Sequence, residues 1–491
     1  MKCSIIGSGC SALSCGIMLA QRGYKVTLFE QSSTIAPTLH GFFRKNRYYE
    51  TGVHSLGGIQ TGEPLHNYLR FLGIQDNVEI EVNTASPFIF SSPWGTWSLP
   101  QGYTAIESDL IKKFPKEAQS IQRFLRLVRR LSNDFQYGNT PQKADAVEAD
   151  KPLQQVLDEF FISSQLMWQL TALFSLFCGL GTTESSLGFY ASSAGTYFHS
   201  SGTLKGGGKA LVNALCARLV ELGGTICSNS FVTQIHVDDV KKCTGISTED
   251  GQFHPSDSVI ATCHPVYLNT LLPEGSLRQI RKKYYQNLTS THSFVALYGH
   301  VPCSLNLPKS GIICEHDTPI YTMDSSGAQP ESFPPIMFFT QHDNIGDVSD
   351  VKRITISIIA PTPFEKWSIF AKETSFARKA GYKEYKEQVA QQILSKVGAF
   401  YPEICKYIEI DSMSSPLTMR DYCNMPRGAI YGSKATCTIQ QPLPLLPIKD
   451  LFLSGQALVG PGVLGAMTSA AMTVENILLE PDFAKEIHSA A

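Results

Sequence analysis

Residues 2–30 read KCSIIGSGCSALSCGIMLAQRGYKVTLFE, and this stretch decides the fold. An apolar run over residues 2–6 leads into a glycine turn, an apolar helical pattern and a second apolar run that ends at Glu30. The order predicts strand, turn, helix and strand, closed by an acid about twenty residues after the glycines. It is the dinucleotide-binding fingerprint, with Ala12 in the third small position. The sequence therefore predicts a bound dinucleotide.

Each residue of the turn has a physical task. Gly7 allows the sharp bend out of the strand, and Gly9 has no side chain, so that a pyrophosphate can approach the backbone. The amides of Cys10 and Ser11 begin the helix, where the helix dipole favours a negative charge. Glu30 can accept hydrogen bonds from both hydroxyls of an adenosine ribose.

Length and composition limit the remaining classes. A chain of 491 residues is expected to form two domains, or one fold in two parts. Hydrophobic residues make up 43% and charged residues 17%, which indicates a large buried surface, an apolar cavity or an exposed apolar patch. The net charge is −2 with no basic stripe, so we expect no nucleic-acid partner.

Cysteine usage and apolar runs bear on location. The 13 cysteines show no metal-ligand spacing and predict reduced thiols in a cytoplasmic chain. The first predicted strand starts at residue 2, so we expect no signal peptide. The most apolar stretch, residues 166–180, is too short to span a bilayer. It predicts a buried helix or a membrane-docking surface. Residues 115–131 predict a basic amphipathic helix with a solvated face, with peripheral membrane contact as the alternative.

Later blocks repeat the strand, glycine turn and helix. Residues 206–208 are three glycines before a predicted helix over 209–222. Residues 450–456 predict a strand that runs into a second glycine turn, and the glycine-rich residues 460–467 lead into a helix that ends at residue 479 and whose N-terminus again stabilises negative charge. Between these blocks a long helix is predicted over 372–400.

Six motifs carry a resemblance that covers nearly the whole chain. They are the N-terminal fingerprint, ETGVHSLGG at 50–58, SLPQGYTAIESDLIKKFPKEAQSI at 98–121, GTLKGGGKALVNALCARLVELGG at 202–224 with FVTQIHV at 231–237, SPLTMRDYCNMPRGAIYG at 415–432, and LFLSGQALVGPGVLGAMTSA at 451–470. On these motifs the chain resembles the phytoene desaturase-like branch of the flavin amine oxidase superfamily. It most resembles the carotenoid isomerase and retinol saturase group of FAD oxidoreductases.

The resemblance implies a fold and a cofactor. The fold would be an α/β two-dinucleotide-binding-domain flavoprotein: a Rossmann-like FAD-binding domain joined to a discontinuous α+β substrate domain. The FAD-binding domain would comprise residues 1–75, 202–264 and 412–491. The substrate domain would comprise residues 76–201 and 265–411. FAD would be held without a covalent bond.

The resemblance also implies which residues contact each part of FAD. The expected contacts are Gly7, Gly9, Cys10 and Ser11 for the pyrophosphate, Glu30 for the ribose, Val232 for adenine, Gly52, Val53 and His54 for the isoalloxazine, Gly455 and Gln456 for the ribityl chain and phosphate, and Gly462, Val463 and Leu464 for the pyrimidine end of the flavin.

Three positions depart from the family pattern. Residues 38–41 read Thr-Leu-His-Gly where the family usually has a Gly-Gly-Arg turn. Glu50 stands where the family usually has Asp, and Ala457 follows Gln456 where an Asp is usual. These departures concern the cofactor contacts, and the expected fold does not depend on them.

The function implied is an FAD-dependent oxidoreductase that acts on C=C or CH–CH bonds of a hydrophobic unsaturated small molecule. Saturation, desaturation and isomerisation by reduced flavin all fit, with an electron donor or acceptor of unknown identity. One alternative is a flavin amine oxidase acting on a small amine, for which no lysine near the flavin can be picked out. Another is a flavin-binding protein without turnover.

Two residues are candidates for moving a proton. His54 lies in the motif expected beside the flavin, and Tyr431 lies in GAIYG. An apolar tunnel is expected to lead to the flavin, and its candidate lining residues are Phe160, Phe161, Trp168, Phe174, Phe177, Phe189, Tyr190, Tyr197 and Phe198. A role in core packing is the alternative for each aromatic residue.

Overall fold

The structure is a computed structural model of the chain. It describes residues 1–82, 88–136, 143–314, 335–341, 353–372, 376–434 and 442–489.

The strands of these described residues are β1 (Lys2–Ile6), β2 (Lys25–Phe29), β3 (Phe42–Arg44), β4 (Arg47–Tyr49), β5 (Leu56–Gly57), β6 (Ile80–Val82), β7 (Ile89–Ser92), β8 (Gly95–Ser98), β9 (Ser201–Leu204), β10 (Thr225–Cys227), β11 (Val232–Val237), β12 (Cys243–Thr248), β13 (Phe253–Pro255), β14 (Ser258–Ala261), β15 (Ser293–Pro302), β16 (Ser310–Ile313), β17 (Ile336–Gln341), β18 (Arg353–Thr362), β19 (Glu409–Ser414) and β20 (Leu451–Leu453).

The α-helices of the same residues are α1 (Cys10–Gln21), α2 (Pro64–Phe71), α3 (Tyr103–Lys113), α4 (Ala118–Gln136), α5 (Lys143–Ala149), α6 (Leu153–Phe160), α7 (Ser164–Cys178), α8 (Leu187–His199), α9 (Gly207–Glu221), α10 (Leu268–Leu271), α11 (Gln279–Gln286), α12 (Glu365–Ser368), α13 (Tyr382–Phe400), α14 (Pro402–Tyr407), α15 (Pro416–Cys423), α16 (Gly462–Leu478) and α17 (Phe483–Ser489).

A parallel five-stranded sheet holds the fingerprint. Its strand order is β10-β2-β1-β14-β20, so strands from three distant parts of the chain lie side by side. The pairing sets Ile5 beside both Leu28 and Ile260. All three side chains are fully buried, because helices such as α1 and α16 pack against the sheet. The predicted Rossmann-like α/β fold is confirmed.

A second sheet of seven strands has the order β19-β15-β18-β17-β16-β7-β8. Its neighbours pair antiparallel except β16 and β7, which are parallel. Its central strands β15 and β18 are ten residues long and buried along most of their length. One side of this sheet packs with α13 in one apolar core, and the other contributes to a separate core shared with α3, α4, α7 and α8.

The long helix predicted over 372–400 is shorter than expected. It begins at Tyr382, directly after Gly381, whose φ is +83°. Before that, the amide of Lys379 donates to the carbonyl of Phe370, and Ala371 pairs with Arg378 as an isolated bridge. This local turn competes with the helix, so the prediction was wrong for the described residues before 382.

The apolar and basic segments take their expected forms. Residues 166–180 mostly form α7, in which Leu166 and Phe174 are buried. The arginines of α4 (Arg126, Arg129 and Arg130) lie on its exposed face. Across the described ranges, no helix is both long enough and apolar enough to cross a membrane.

Candidate active site

A cavity of about 660 Å³ lies where the glycine turns of the five-stranded sheet face the seven-stranded sheet. The N-terminus of α1 contributes Gly9, Cys10 and Ser11 to its wall. The N-terminus of α16 contributes Gly462 and Val463, although it lies about 450 residues later in the chain. Two helix N-termini therefore open into one cavity, which favours a ligand carrying negative charge.

The space beside these turns fits a pyrophosphate and a flavin. A Cβ placed on Gly9 would meet no atom of the described chain within 4 Å, and the same holds for Gly462. Gly9 is the N-cap of α1 with φ −62°, a conformation open to any residue, so the glycine provides room and not a special backbone angle. Gly462 has φ +84°, which only glycine adopts easily.

Buried hydroxyls join the two turns. The Oγ atoms of Ser11 and Ser454 are 2.6 Å apart, and the amide of Gly455 donates to Ser469 Oγ at 2.8 Å. Gly455 and Gln456 both line the cavity. The start of α1 and the end of β20 are therefore fixed to each other by short side-chain contacts.

The residues predicted for the adenosine end lie outside the cavity wall but next to the fingerprint. Ser8 Oγ donates to Glu30 Oε2 at 2.6 Å, and the Ser32 amide donates to Glu30 Oε1 at 2.8 Å. The Ser230 amide donates to the Glu30 carbonyl at 2.7 Å, which brings the start of β11 and Val232 towards Glu30. Gly7 also lies behind the wall, with φ +105° and its amide bonded to Phe29 O.

Glu50 organises the loop expected beside the flavin. Its Oε1 accepts hydrogen bonds from the amides of Thr51, Gly52 and Val53 at 3.0–3.2 Å. Its Oε2 accepts from the Gly208 amide at the start of α9 and from the Tyr48 hydroxyl. The carboxyl group is buried, and burial raises its pKa against the lowering effect of these amides.

The glycine at 52 is required by the protein backbone. A Cβ there would lie 2.1 Å from the carbonyl oxygen of Thr38. Gly52 and Val53 line the cavity, and their amides are directed at Glu50. Thr38 and Leu39, which stand where the family usually has its Gly-Gly-Arg turn, line the same wall, and their contact with Gly52 is made only by the fold.

His54 lies on the cavity wall and stacks on Phe339 of β17, with ring centroids 4.3 Å apart and an interplanar angle of 9°. Its Nε2 is buried without a hydrogen-bond partner among the described residues. Burial lowers the pKa of the imidazole to about 4, so the ring is neutral at pH 7.

Tyr431 also lines the cavity. Its amide donates to Thr291 Oγ1 at 3.0 Å, and its ring lies 3.4 Å from a Cβ placed on Gly179 at the end of α7. Burial raises the pKa of its phenol well above 10, so the hydroxyl keeps its proton.

The predicted tunnel is only partly correct. Of the predicted aromatics, three line the cavity: Phe177, Phe189 and Tyr197. The others pack in or against the large core of the helical region: Phe160, Phe161, Trp168, Phe174, Tyr190 and Phe198. Side chains that the sequence analysis did not identify complete the wall: Phe294, Met337, Phe339, Ile359, Met419 and Met425.

The described part of the wall has no ionic side chain. Within the described part of the chain, the residues that line the cavity include no Asp, Glu, Lys or Arg. Its titratable groups are a cysteine, a histidine and two tyrosines: Cys10, His54, Tyr197 and Tyr431. Burial raises the pKa of the Cys10 thiol to about 12, so that group is also neutral.

The parallel sheet, the fingerprint and the two neighbouring helix N-termini define a dinucleotide-binding protein. The chain belongs to the family of flavin containing amine oxidoreductases, whose model matches residues 12–298. Its cofactor is FAD, and it is an FAD-dependent oxidoreductase.

Individual relatives place the chain within the phytoene desaturase-like and retinol saturase branch. It is 24% identical to human all-trans-retinol 13,14-reductase, over 96% of this chain and 85% of that protein. It is 23% identical to the all-trans-zeta-carotene desaturase of Myxococcus xanthus, over 97% of this chain and 93% of that protein. An oxidoreductase from Methanosarcina mazei has the same fold, with a TM-score of 0.67 at 16% identity, covering 98% of this chain and all of that one.

Proposed function

We propose that the protein exchanges hydride between FAD and a conjugated carbon–carbon bond of a long, uncharged polyene. The observation that carries the proposal is the cavity wall, which is aromatic and aliphatic opposite the glycine turns and lacks ionic side chains among its described residues. Such a wall buries a hydrocarbon chain favourably and gives no partner to a charged substrate. The names of the relatives, which specify retinol and zeta-carotene, support the same substrate class.

FAD, when bound, supplies the hydride chemistry, and the protein supplies position, burial and electrostatics. We propose that the amides of Gly9, Cys10 and Ser11 hold the pyrophosphate, with Glu30 and Val232 at the adenosine end. The amides of Gly462, Val463 and Leu464 would place the positive end of α16 near the pyrimidine ring. The apolar wall would exclude water from the reacting bond.

We propose His54 as the group that handles a proton at the cavity wall, with Tyr431 as the second candidate. Because the pKa of His54 is lowered to about 4, the ring would act as a neutral hydrogen-bonding group and not as an imidazolium ion. Substitution of His54 by Ala should leave FAD bound and slow turnover. Wild-type rates in this variant would remove His54 from the mechanism.

The remaining assignments are proposals of the same kind. Net reduction or desaturation needs a second molecule that exchanges two electrons with the flavin, and its identity is open. A cytoplasmic location with peripheral membrane contact stays a prediction. We also propose that the FAD-binding domain comprises residues 1–75, 202–264 and 412–491, and that the substrate domain comprises the rest. The five-stranded sheet draws all its strands from the first set of ranges.

A single anaerobic experiment separates the alternatives. The purified FAD-loaded protein, in one arm oxidised and in the other reduced with dithionite, is mixed with all-trans-retinol, with a carotene or with putrescine. Flavin re-oxidation together with a polyene product two mass units heavier indicates saturation. Bleaching of the oxidised protein by the carotene with loss of two hydrogens indicates desaturation, and a new geometric isomer indicates isomerisation. Bleaching by putrescine alone supports an amine oxidase, and no response to any substrate supports a protein without turnover.

A further inference from the structure

Three large apolar side chains are exposed on neighbouring segments, since α12 contacts α15 and Phe376 is bonded to Asp421 of α15. Ile369, Phe376 and Tyr422 expose 63%, 57% and 62% of their surface. The rings of Phe376 and Tyr422 meet edge to face with centroids 4.9 Å apart. The carbonyl of Phe370 accepts the Lys379 amide, and the Phe376 amide donates to Asp421, so the described parts of these segments lie close together. We name these three residues the apolar patch.

The two segments that carry the apolar patch are rich in cationic residues. Residues 364–380 and 416–427 contain six Lys or Arg and three Asp or Glu, a net charge of +3 in a chain whose total is −2. Lys366, Lys372 and Lys379 are exposed. Asp421 is held by Arg378 at 2.7 Å and Arg420 at 2.6 Å, and these bonds help to keep its pKa below the usual range although its burial acts the other way. The two segments therefore combine exposed apolar side chains with exposed lysines and a net positive charge.

The apolar patch adjoins the substrate end of the cavity. Tyr422 and Met419 are both on α15, three residues apart, and residues at this spacing are neighbours on one face of a helix. Met419 lines the cavity, and so does Met425 just beyond the helix. The exposed surface and the cavity wall are thus separated by about one helical turn.

We propose that the apolar patch and its cations dock on an anionic lipid surface. Apolar side chains partition into the boundary between headgroups and acyl chains, while lysines are attracted by anionic headgroups. Because the apolar patch lies beside Met419, a polyene dissolved in the bilayer enters the cavity along α15 without crossing water. This step rests on the proposed function.

Vesicle binding tests this proposal. The FAD-loaded full-length protein is mixed with vesicles of phosphatidylcholine alone, or with phosphatidylserine added, and bound protein is measured by flotation. We expect binding to the anionic vesicles that weakens as salt is raised. The double variant Phe376→Ser with Tyr422→Ser should weaken binding by about tenfold or more, because two large apolar contacts are lost. Val240→Ser removes a side chain that is 80% exposed in a distant turn, and should bind as wild type.

A second variant isolates the electrostatic part. Lys372→Gln with Lys379→Gln should weaken binding to the anionic vesicles and leave any binding to neutral ones unchanged. Equal FAD content and equal melting temperatures confirm that the variants are folded. The proposal is overturned if wild type fails to float with anionic vesicles, or if both double variants bind as wild type does.

The proposed function is assayed separately with the polyene in detergent. Both double variants should retain wild-type turnover there, because neither changes the cavity wall. Loss of vesicle binding with unchanged turnover in detergent supports docking, whatever the bilayer does for the substrate. Normal vesicle binding without polyene turnover would refute the proposed function and leave the docking surface intact.

Discussion

The two ends of the cavity are built differently. The glycine-rich end consists of backbone: the turn at 7–11 and the turn at 455–464 each place helix N-terminal amides at the wall. The opposite end consists of side chains from separate elements, such as Phe177 of α7, Met337 of β17 and Met419 of α15. One end is therefore defined by local sequence and the other by tertiary packing.

This difference predicts that the departures from the family pattern leave the proposed cofactor end in place. A site made of amides and empty space depends on backbone geometry, which the glycine turns and the Ser11–Ser454 contact preserve. In a site made of side chains, each substitution changes the shape and chemistry of the wall. Substitutions at the backbone-built end should therefore abolish cofactor binding or folding, whereas those at the other end should adjust rates.

The largest effect is expected for Gly9→Val. The valine side chain would occupy the open space beside the turn, where we place the pyrophosphate, and FAD retention should be abolished. The apo protein should fold normally, because φ at position 9 is −62° and no described atom lies within 4 Å of the new Cβ. The flavin-to-protein ratio after purification measures the first effect, and thermal unfolding of apo protein measures the second. Full FAD content in this variant would contradict the view that open space beside the backbone of this turn holds the pyrophosphate.

Glu50→Ala should lower the free energy of unfolding by about 3–5 kcal/mol, because buried hydrogen-bond donors lose their acceptor. Four amides would lose their partner, and the Tyr48 hydroxyl would keep only the carbonyl of His40 as an acceptor. Glu50→Gln is the matched control, since one oxygen can still accept from the 51–53 amides, and it should lose less. Urea unfolding of the apo proteins measures both. Equal losses in the two variants would show that the charge, and not the hydrogen bonding, holds the loop.

Sequence could anticipate the cofactor end because its signals are local. The strand, turn and helix of residues 2–21 and the glycine turn before α16 lie within short windows, and their forms were predicted. The bond from the Gly208 amide to Glu50 joins residues 158 apart, and no pattern within either segment specifies it. The aromatic lining of the tunnel was predicted only in part for the same reason. Phe177 and Phe174 belong to one helix, yet only the tertiary fold decides which faces the cavity.

His54→Phe should change how stability depends on pH. The folded-state pKa of His54 is lowered to about 4 from 6.5, so the unfolded chain binds the proton more tightly. Wild type should therefore lose stability as pH falls from about 7 to 4, by up to about 3 kcal/mol from this residue. Phenylalanine keeps the stack on Phe339 and removes the titration, so the variant should lose less. Urea unfolding of both proteins at pH 7 and pH 4.5 gives the comparison. Equal losses of stability in wild type and variant would show that His54 is more solvated than the structure indicates.

The smallest effect is expected for Tyr431→Phe, with turnover of the polyene lowered by about threefold or less. The ring fills the wall in both proteins, and the buried phenol has a pKa well above 10, which makes it a poor proton donor at neutral pH. Tyr197→Phe is the matched control, because Tyr197 lines the same cavity and its phenol pKa is also raised by burial. Single-turnover rates with reduced enzyme remove any contribution from product release. A loss of about a hundredfold confined to Tyr431→Phe would identify Tyr431 as the proton donor, because general acid catalysis contributes about that much or more. It would also contradict the view that the side-chain-built end only adjusts rates.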